Sequence, residues 1–81
     1  MKVVLSDRTV ESMKDAPGAV QRAFDKQLGF LVNNLHHRSL RAKKFDETND
    51  VWQARVNRDW RFYFTIHDDT YLIEKIIPHP K

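Results

Sequence analysis

The sequence predicts an α+β domain in the order β-α-α-β-β-β, with two N-terminal helices packed on one face of a small antiparallel sheet. Three observations carry this expectation. Residues alternate with strand period from Val51 to Ile66, apolar residues recur at three- and four-residue spacing from Val20 to Leu35, and a short β-branched stretch, Lys2 to Leu5, precedes helix-capping residues.

The N-terminal strand, Lys2–Leu5, runs into Ser6-Asp7, which favour helix N-caps. The first helix therefore starts there, with Val10, Met13 and Ala16 as its expected buried stripe. Pro17-Gly18 ends it, because a residue before proline avoids helical geometry. From Ala19 the series Val20, Phe24, Leu28, Leu31, Leu35, flanked by Ala23 and Val32, marks a second helix of four turns or more. Gly29 inside it costs about 1 kcal/mol relative to alanine, a penalty that close packing on a sheet would justify. Asn33-Asn34 begins its end.

His36 to Asp50 is rich in charge and turn formers, with few apolar residues apart from Leu40 and Phe45, and is expected to be a long connecting loop holding a short strand near Lys43–Phe45. Loops of that length in a compact domain tend to carry function. The hairpin follows. Trp52, Ala54 and Val56 point one way and Val51, Gln53 and Arg55 the other. With Asn57, Arg58 and Asp59 as the loop, Val56 faces Trp60, Ala54 faces Phe62 and Trp52 faces Phe64 in one continuous apolar surface. The same register sets Arg55 opposite Arg61 and Gln53 opposite Tyr63 on the reverse face. Like charges directly across a ladder repel, so folding alone does not select the arginine pair. After an Asp68-Asp69 turn, Tyr71–Ile77 forms the last strand. Its alternation is broken, which requires either two partly covered faces or a register-shifting bulge.

With 81 residues and no repeat, the chain is expected to form one domain, residues 1–81. The lack of cysteine excludes disulfides and thiolate metal sites. No apolar run approaches membrane-spanning length, and the start is too short for the apolar part of a signal peptide. A soluble, cytoplasmic protein with no membrane partner is the expectation. Lys and Arg outnumber Asp and Glu fourteen to eleven. The excess is uneven, since Arg38, Arg41, Lys43, Lys44, Arg55, Arg58 and Arg61 fall in one short span. Such clustering points to an acidic partner, although a net charge of +3 also serves solubility.

Leu40-Arg41-Ala42-Lys43-Lys44, then Val51-Trp52-Gln53-Ala54-Arg55-Val56 and Asp59-Trp60-Arg61-Phe62-Tyr63-Phe64, resemble the RelE/ParE superfamily of toxins from bacterial toxin–antitoxin pairs. The resemblance covers the whole chain and includes the order of elements. It implies a small basic protein held inactive by a cognate antitoxin. RelE-type members cut messenger RNA in the ribosomal A site, whereas ParE-type members act on DNA gyrase. By the same resemblance, Arg61 falls where RelE-like nucleases bind the scissile phosphate. Arg55 falls at the second of a pair of strand lysines, and Gln53 replaces the first. His79 matches a catalytic histidine of the YafQ-like branch, and Asp59 matches its acidic residue before tryptophan. His36 or His37 falls near another of that branch's histidines. RelE itself continues into a segment with a catalytic tyrosine. The present sequence stops at Lys81, so a nuclease of this kind would rely on histidine.

Metal-free RNA cleavage needs a base for the 2′-OH proton, cations around the pentacoordinate phosphate and an acid for the leaving 5′-oxygen. Imidazole serves both proton roles near neutrality. His79 is thus the expected base or acid, Arg61 the phosphate clamp, Arg55 auxiliary charge, and Asp59 either an orienting carboxylate or a turn former. Arg41, Lys43, Lys44 and Gln53 are expected along the nucleic-acid backbone, with Tyr63 stacking on a base or bonding a phosphate. Trp52, Trp60, Phe62 and Phe64 belong to the core. No cofactor is expected, and His36-His37 is a weak metal signal without a Cys, Asp or Glu at fixed spacing. The expected partners are the antitoxin, the ribosome and messenger RNA. The rivals are a ParE-like protein-binding toxin or a decayed RNA-binding member, which Gln53 favours, and a free-standing RNA-binding module.

Overall fold

A computed structural model describes residues 1–79. The elements are β1 (Lys2–Leu5), α1 (Asp7–Asp15), α2 (Gly18–Asn33), β2 (Lys43–Asp46), β3 (Val51–Arg55), β4 (Trp60–His67) and β5 (Thr70–Pro78). They form an α+β fold, two helices against a five-stranded sheet ordered β1-β5-β4-β3-β2. Every neighbouring pair is antiparallel except β1 with β5, which run parallel. The short strand expected near Lys43–Phe45 is the fifth strand and one edge of the sheet.

The hairpin has the register that alternation predicts, with Trp52 opposite Phe64, Gln53 opposite Tyr63, Ala54 opposite Phe62 and Arg55 opposite Arg61. Its oily face is the core. Phe62, Phe64 and Ile73 are fully buried there beneath Val20, Phe24 and Leu31 of α2, and Phe24 meets Phe62 edge-on at 5.4 Å. The broken alternation of β5 is a bulge. Tyr63 pairs with Lys75 and Phe64 with Ile73, so Glu74 is an extra residue. Tyr71, Ile73 and Ile76 therefore all reach the core despite their uneven spacing.

The bulge also explains α1. Its main-chain carbonyls need donors, and the start of α1 supplies them. Ser6 N–H and the Thr9 hydroxyl donate to Ile73 O at 3.0 and 2.9 Å, and the Ser6 hydroxyl donates to Glu74 O at 2.8 Å. Ser6 also caps the helix by accepting from Thr9 N–H. The expected stripe is corrected accordingly, for Thr9 is fully buried and Val10 is exposed. The wall facing α1 is polar main chain, so a hydroxyl fits there, where a valine would forfeit the second donor to Ile73 O.

Gly29 also departs from expectation. A side chain there would meet nothing within 4 Å, so no close packing accounts for the glycine. Gln27, on the other hand, is buried in the middle of the apolar stripe of α2. Its amide donates to Ser39 O at 2.9 Å and to Arg55 O at 2.7 Å, while Arg55 N–H donates to Leu40 O at 2.7 Å. Together with fully buried Leu40, this network fastens the segment before β2 to the end of β3.

Candidate functional site

Because β3 and β4 turn their aromatic side chains inward, their alternate residues project from the opposite face, and there they build a basin. Arg41, Lys43, Gln53, Arg55, Arg61 and His79 line a concavity of about 240 Å³. Arg55 and Arg61 are direct cross-strand partners. Lys43 joins them through its pairing with Gln53. Arg41 comes from the segment that Gln27 fastens. Its φ of 47° is left-handed, a conformation uncommon for a residue other than glycine.

Arg61 is held from one end only. Its Nη1 donates to the carbonyls of Asn57, Trp60 and Arg58 at 2.7, 2.9 and 3.3 Å. Nη2 and Nε have no partner among the described residues, so part of the fork stays open for a second acceptor. The hairpin loop that offers these carbonyls is itself shaped by Asn57, whose side chain accepts from Asp59 N–H and Trp60 N–H at 2.9 and 3.0 Å. Burial, followed by the charges of Arg55 and Arg41, pushes the pKa of Arg61 below its ordinary value. A guanidinium keeps its proton regardless. The shift therefore marks a guanidinium first desolvated and then crowded by like charges, both of which a bound anion would offset.

Among the described residues, the ion pairs are Lys14 with Glu11 and Lys44 with Asp50. Among the described residues no basin cation forms an ion pair with a carboxylate. His79 reaches the rim because its N–H donates to Asp59 O at 2.7 Å, one residue past the pairing of Pro78 with Trp60. Asp59 therefore holds the histidine through its main chain. Its carboxylate is exposed in the turn and makes no hydrogen bond among the described residues.

Two further residues expected to contact nucleic acid are engaged within the chain. Lys44 does not share a face with Lys43. It pairs opposite Trp52, places its ammonium 5.3 Å from that ring and bonds Asp50 at 2.8 Å. Successive strand residues point to opposite sides, so only one of two adjacent lysines can line the basin. Tyr63 lies on the basin's side of the sheet but is only 5% exposed. Phe45 packs edge-on against its ring at 4.9 Å, Lys75 sits 4.7 Å from it, and its hydroxyl accepts from Gln53 at 2.8 Å. It has no open face for a base. His37 is engaged elsewhere, stacked on Phe30 at 3.8 Å and accepting from Ser39 N–H. Among the described residues no group of three or more His, Cys, Asp or Glu could hold a metal ion.

No family model matches the sequence, and no curated protein matches it. Solved structures do. The fold is similar to that in the archaeal RelE–RelB complex from Pyrococcus horikoshii, at 23% identity and a TM-score of 0.79, over 95% of this chain and 92% of that one. It is also similar to a YoeB/ParE toxin from Agrobacterium tumefaciens, at 9% identity and 0.81, over 99% and 100%. YafQ from E. coli matches at 14% and 0.77, over 96% and 92%. The chain has the fold shared by these RelE, YoeB, YafQ and ParE-like toxins.

Proposed function

We propose that this chain is the toxin of a toxin–antitoxin pair and that it cuts messenger RNA on the ribosome. The observation that carries the reading is a basin in which Arg41, Lys43, Arg55 and Arg61, none in an ion pair among the described residues, converge beside His79. A fold can host several activities, so the argument rests on the site. A scissile phosphate seated against the open side of the Arg61 fork and against Arg55 has its developing negative charge stabilised by charge-assisted bonds. Arg41 and Lys43 hold neighbouring phosphates. The imidazole of His79 at the rim takes the proton of the attacking 2′-OH or returns one to the leaving 5′-oxygen. Phosphorus–oxygen bond formation from the 2′-oxygen and loss of the 5′-oxygen give a cyclic phosphate and a free 5′-OH.

An antitoxin is the natural counterpart. Structures with this fold include RelE with RelB and YoeB with YefM as complexes. Such a partner would cover the chain by folding onto it. The second reading, a ParE-like toxin that binds a protein target, is favoured by Gln53, whose amide is occupied by Tyr63 and adds no charge to the basin.

Inducible expression of the wild type beside Arg61→Ala and His79→Ala, with primer extension on messenger RNA and a gyrase supercoiling assay, separates these. Cuts that depend on the ribosome and vanish in both variants are expected. Growth arrest without cuts, insensitive to His79, would overturn the nuclease in favour of the protein-binding toxin.

A further inference from the structure

Phe45 has the most exposed large apolar side chain among the described residues, at 57%. It is the extra residue of a second bulge, where Lys44 pairs with Trp52 and Asp46 with Val51. The bulge lays its ring against Tyr63, which fixes the ring in place while leaving its outer face open. Behind it lies a cleft of about 290 Å³ whose walls include Arg8, Val51, Tyr63, Glu74 and Lys75. Phe45, Val51 and Tyr63 give its lining apolar and aromatic surface, Arg8 and Lys75 give it donors, and Asp46 and Glu74 give it acceptors. One carboxylate oxygen of Glu74 accepts from the Thr65 hydroxyl at 3.2 Å, and the other has no partner among the described residues.

The cleft and the arginine basin share one face of the sheet. Gln53 lines the basin and Tyr63 the cleft, and the bond between them joins the two walls. From the Arg55 row to the Val51 row is four strand residues, roughly 13 Å at the usual rise, a reach of one or two nucleotides in a splayed single strand. We infer that Phe45 and this cleft form a nucleobase subsite. A phosphate in the basin directs a neighbouring base onto the Phe45 ring, where Glu74 accepts from a donor on the base edge. Single-stranded RNA is recognised by this combination of aromatic stacking and edge bonding. The inference rests on the RNA-cleaving reading above and adds the residues that select the cutting site. Stacking falls to Phe45 because Tyr63 is covered.

The test uses ribosomes programmed with a message whose A-site codon is 2′-deoxy, so that it cannot be cut, and carries 2-aminopurine at each codon position in turn. A parallel message with ordinary ribose reports cutting. Wild-type chain quenches the fluorescence at one position. In Phe45→Ala the concentration for half-maximal quench rises roughly five- to hundredfold, the range for loss of a stacked base, and Phe45→Trp restores it. Glu74→Gln keeps the quench and alters which bases are accepted. A quench that persists in Phe45→Ala overturns the inference, as a ring serving a protein partner would give. Cutting by the wild type without quench at any position overturns it and leaves RNA cleavage standing. If the wild type neither quenches nor cuts, both readings fall.

Discussion

Replacing Gln27 by leucine tests how the fold holds the site. The substitution keeps a side chain out to Cδ and removes the amide that serves two carbonyls, Ser39 O at 2.9 Å and Arg55 O at 2.7 Å. A buried acceptor left without a donor costs about 1–3 kcal/mol. Two such acceptors cost roughly 2–6 kcal/mol, and the leucine returns about 1–2 kcal/mol through apolar burial. A net loss of about 0–5 kcal/mol, centred near 2–3, is expected, a large share of the roughly 4–12 kcal/mol available to a domain of this size. With a urea slope of about 1 kcal/mol per molar, the unfolding midpoint followed by circular dichroism falls by one molar or more. Gln27→Glu gives an independent sign. A buried carboxylate facing two carbonyls repels both, so that variant is the less stable at neutral pH and recovers in acid, where the protonated group donates to one of them. A Gln27→Leu stability within about 0.5 kcal/mol of wild type would refute the claim that this amide fastens Arg41 and Arg55 from behind the sheet.

Gly29→Ala should stabilise the chain by about 0.5–1 kcal/mol, because the new methyl group meets nothing within 4 Å; the same urea titration checks it. Lys43→Ala should weaken messenger RNA cutting and Lys44→Ala should leave it near wild type, since only Lys43 lines the basin. Burial raises the pKa of Tyr71. The folded state then keeps a proton that the unfolded chain loses near pH ~10, so stability is intact below that pH and falls as pH climbs toward the folded value. Lys44, raised chiefly by its bond to Asp50, acts with the same sign in the same window. The readout is therefore the difference between wild type and Tyr71→Phe at pH 8 and pH 11, and the variant should lose less stability.

The hairpin was legible in the sequence because period-two alternation of large aromatics admits a single register; shifting it by one residue would turn Trp52, Phe62 and Phe64 to solvent. From that register the pairing of Arg55 with Arg61 follows. Polar residues that serve main chain were not legible. Gln27 and Thr9 interrupt an apolar stripe, and only the carbonyls of Arg55, Ser39 and Ile73, distant in sequence, explain them. The separation of Lys43 from Lys44 was available from alternation within the short strand expected near Lys43–Phe45. Both bulges lay beyond the pattern. The broken alternation of β5 signalled one without locating it at Glu74, and nothing in the sequence signalled the other, which turns Phe45 onto Tyr63. The left-handed backbone of Arg41 gave no sequence signal either, because arginine does not advertise that conformation as glycine or asparagine does.

The basin's chemistry is tested most directly by single-turnover cutting of a message on programmed ribosomes, with the ends of the products mapped. Wild type should leave a cyclic phosphate and a 5′-OH. His79→Ala should slow the step by roughly 10²–10⁴-fold and Arg61→Ala by roughly 10²–10³-fold, with both variants still folded. Cutting at the wild-type rate by His79→Ala, or products ending in a 5′-phosphate, would contradict phosphodiester attack by the 2′-oxygen beneath that imidazole.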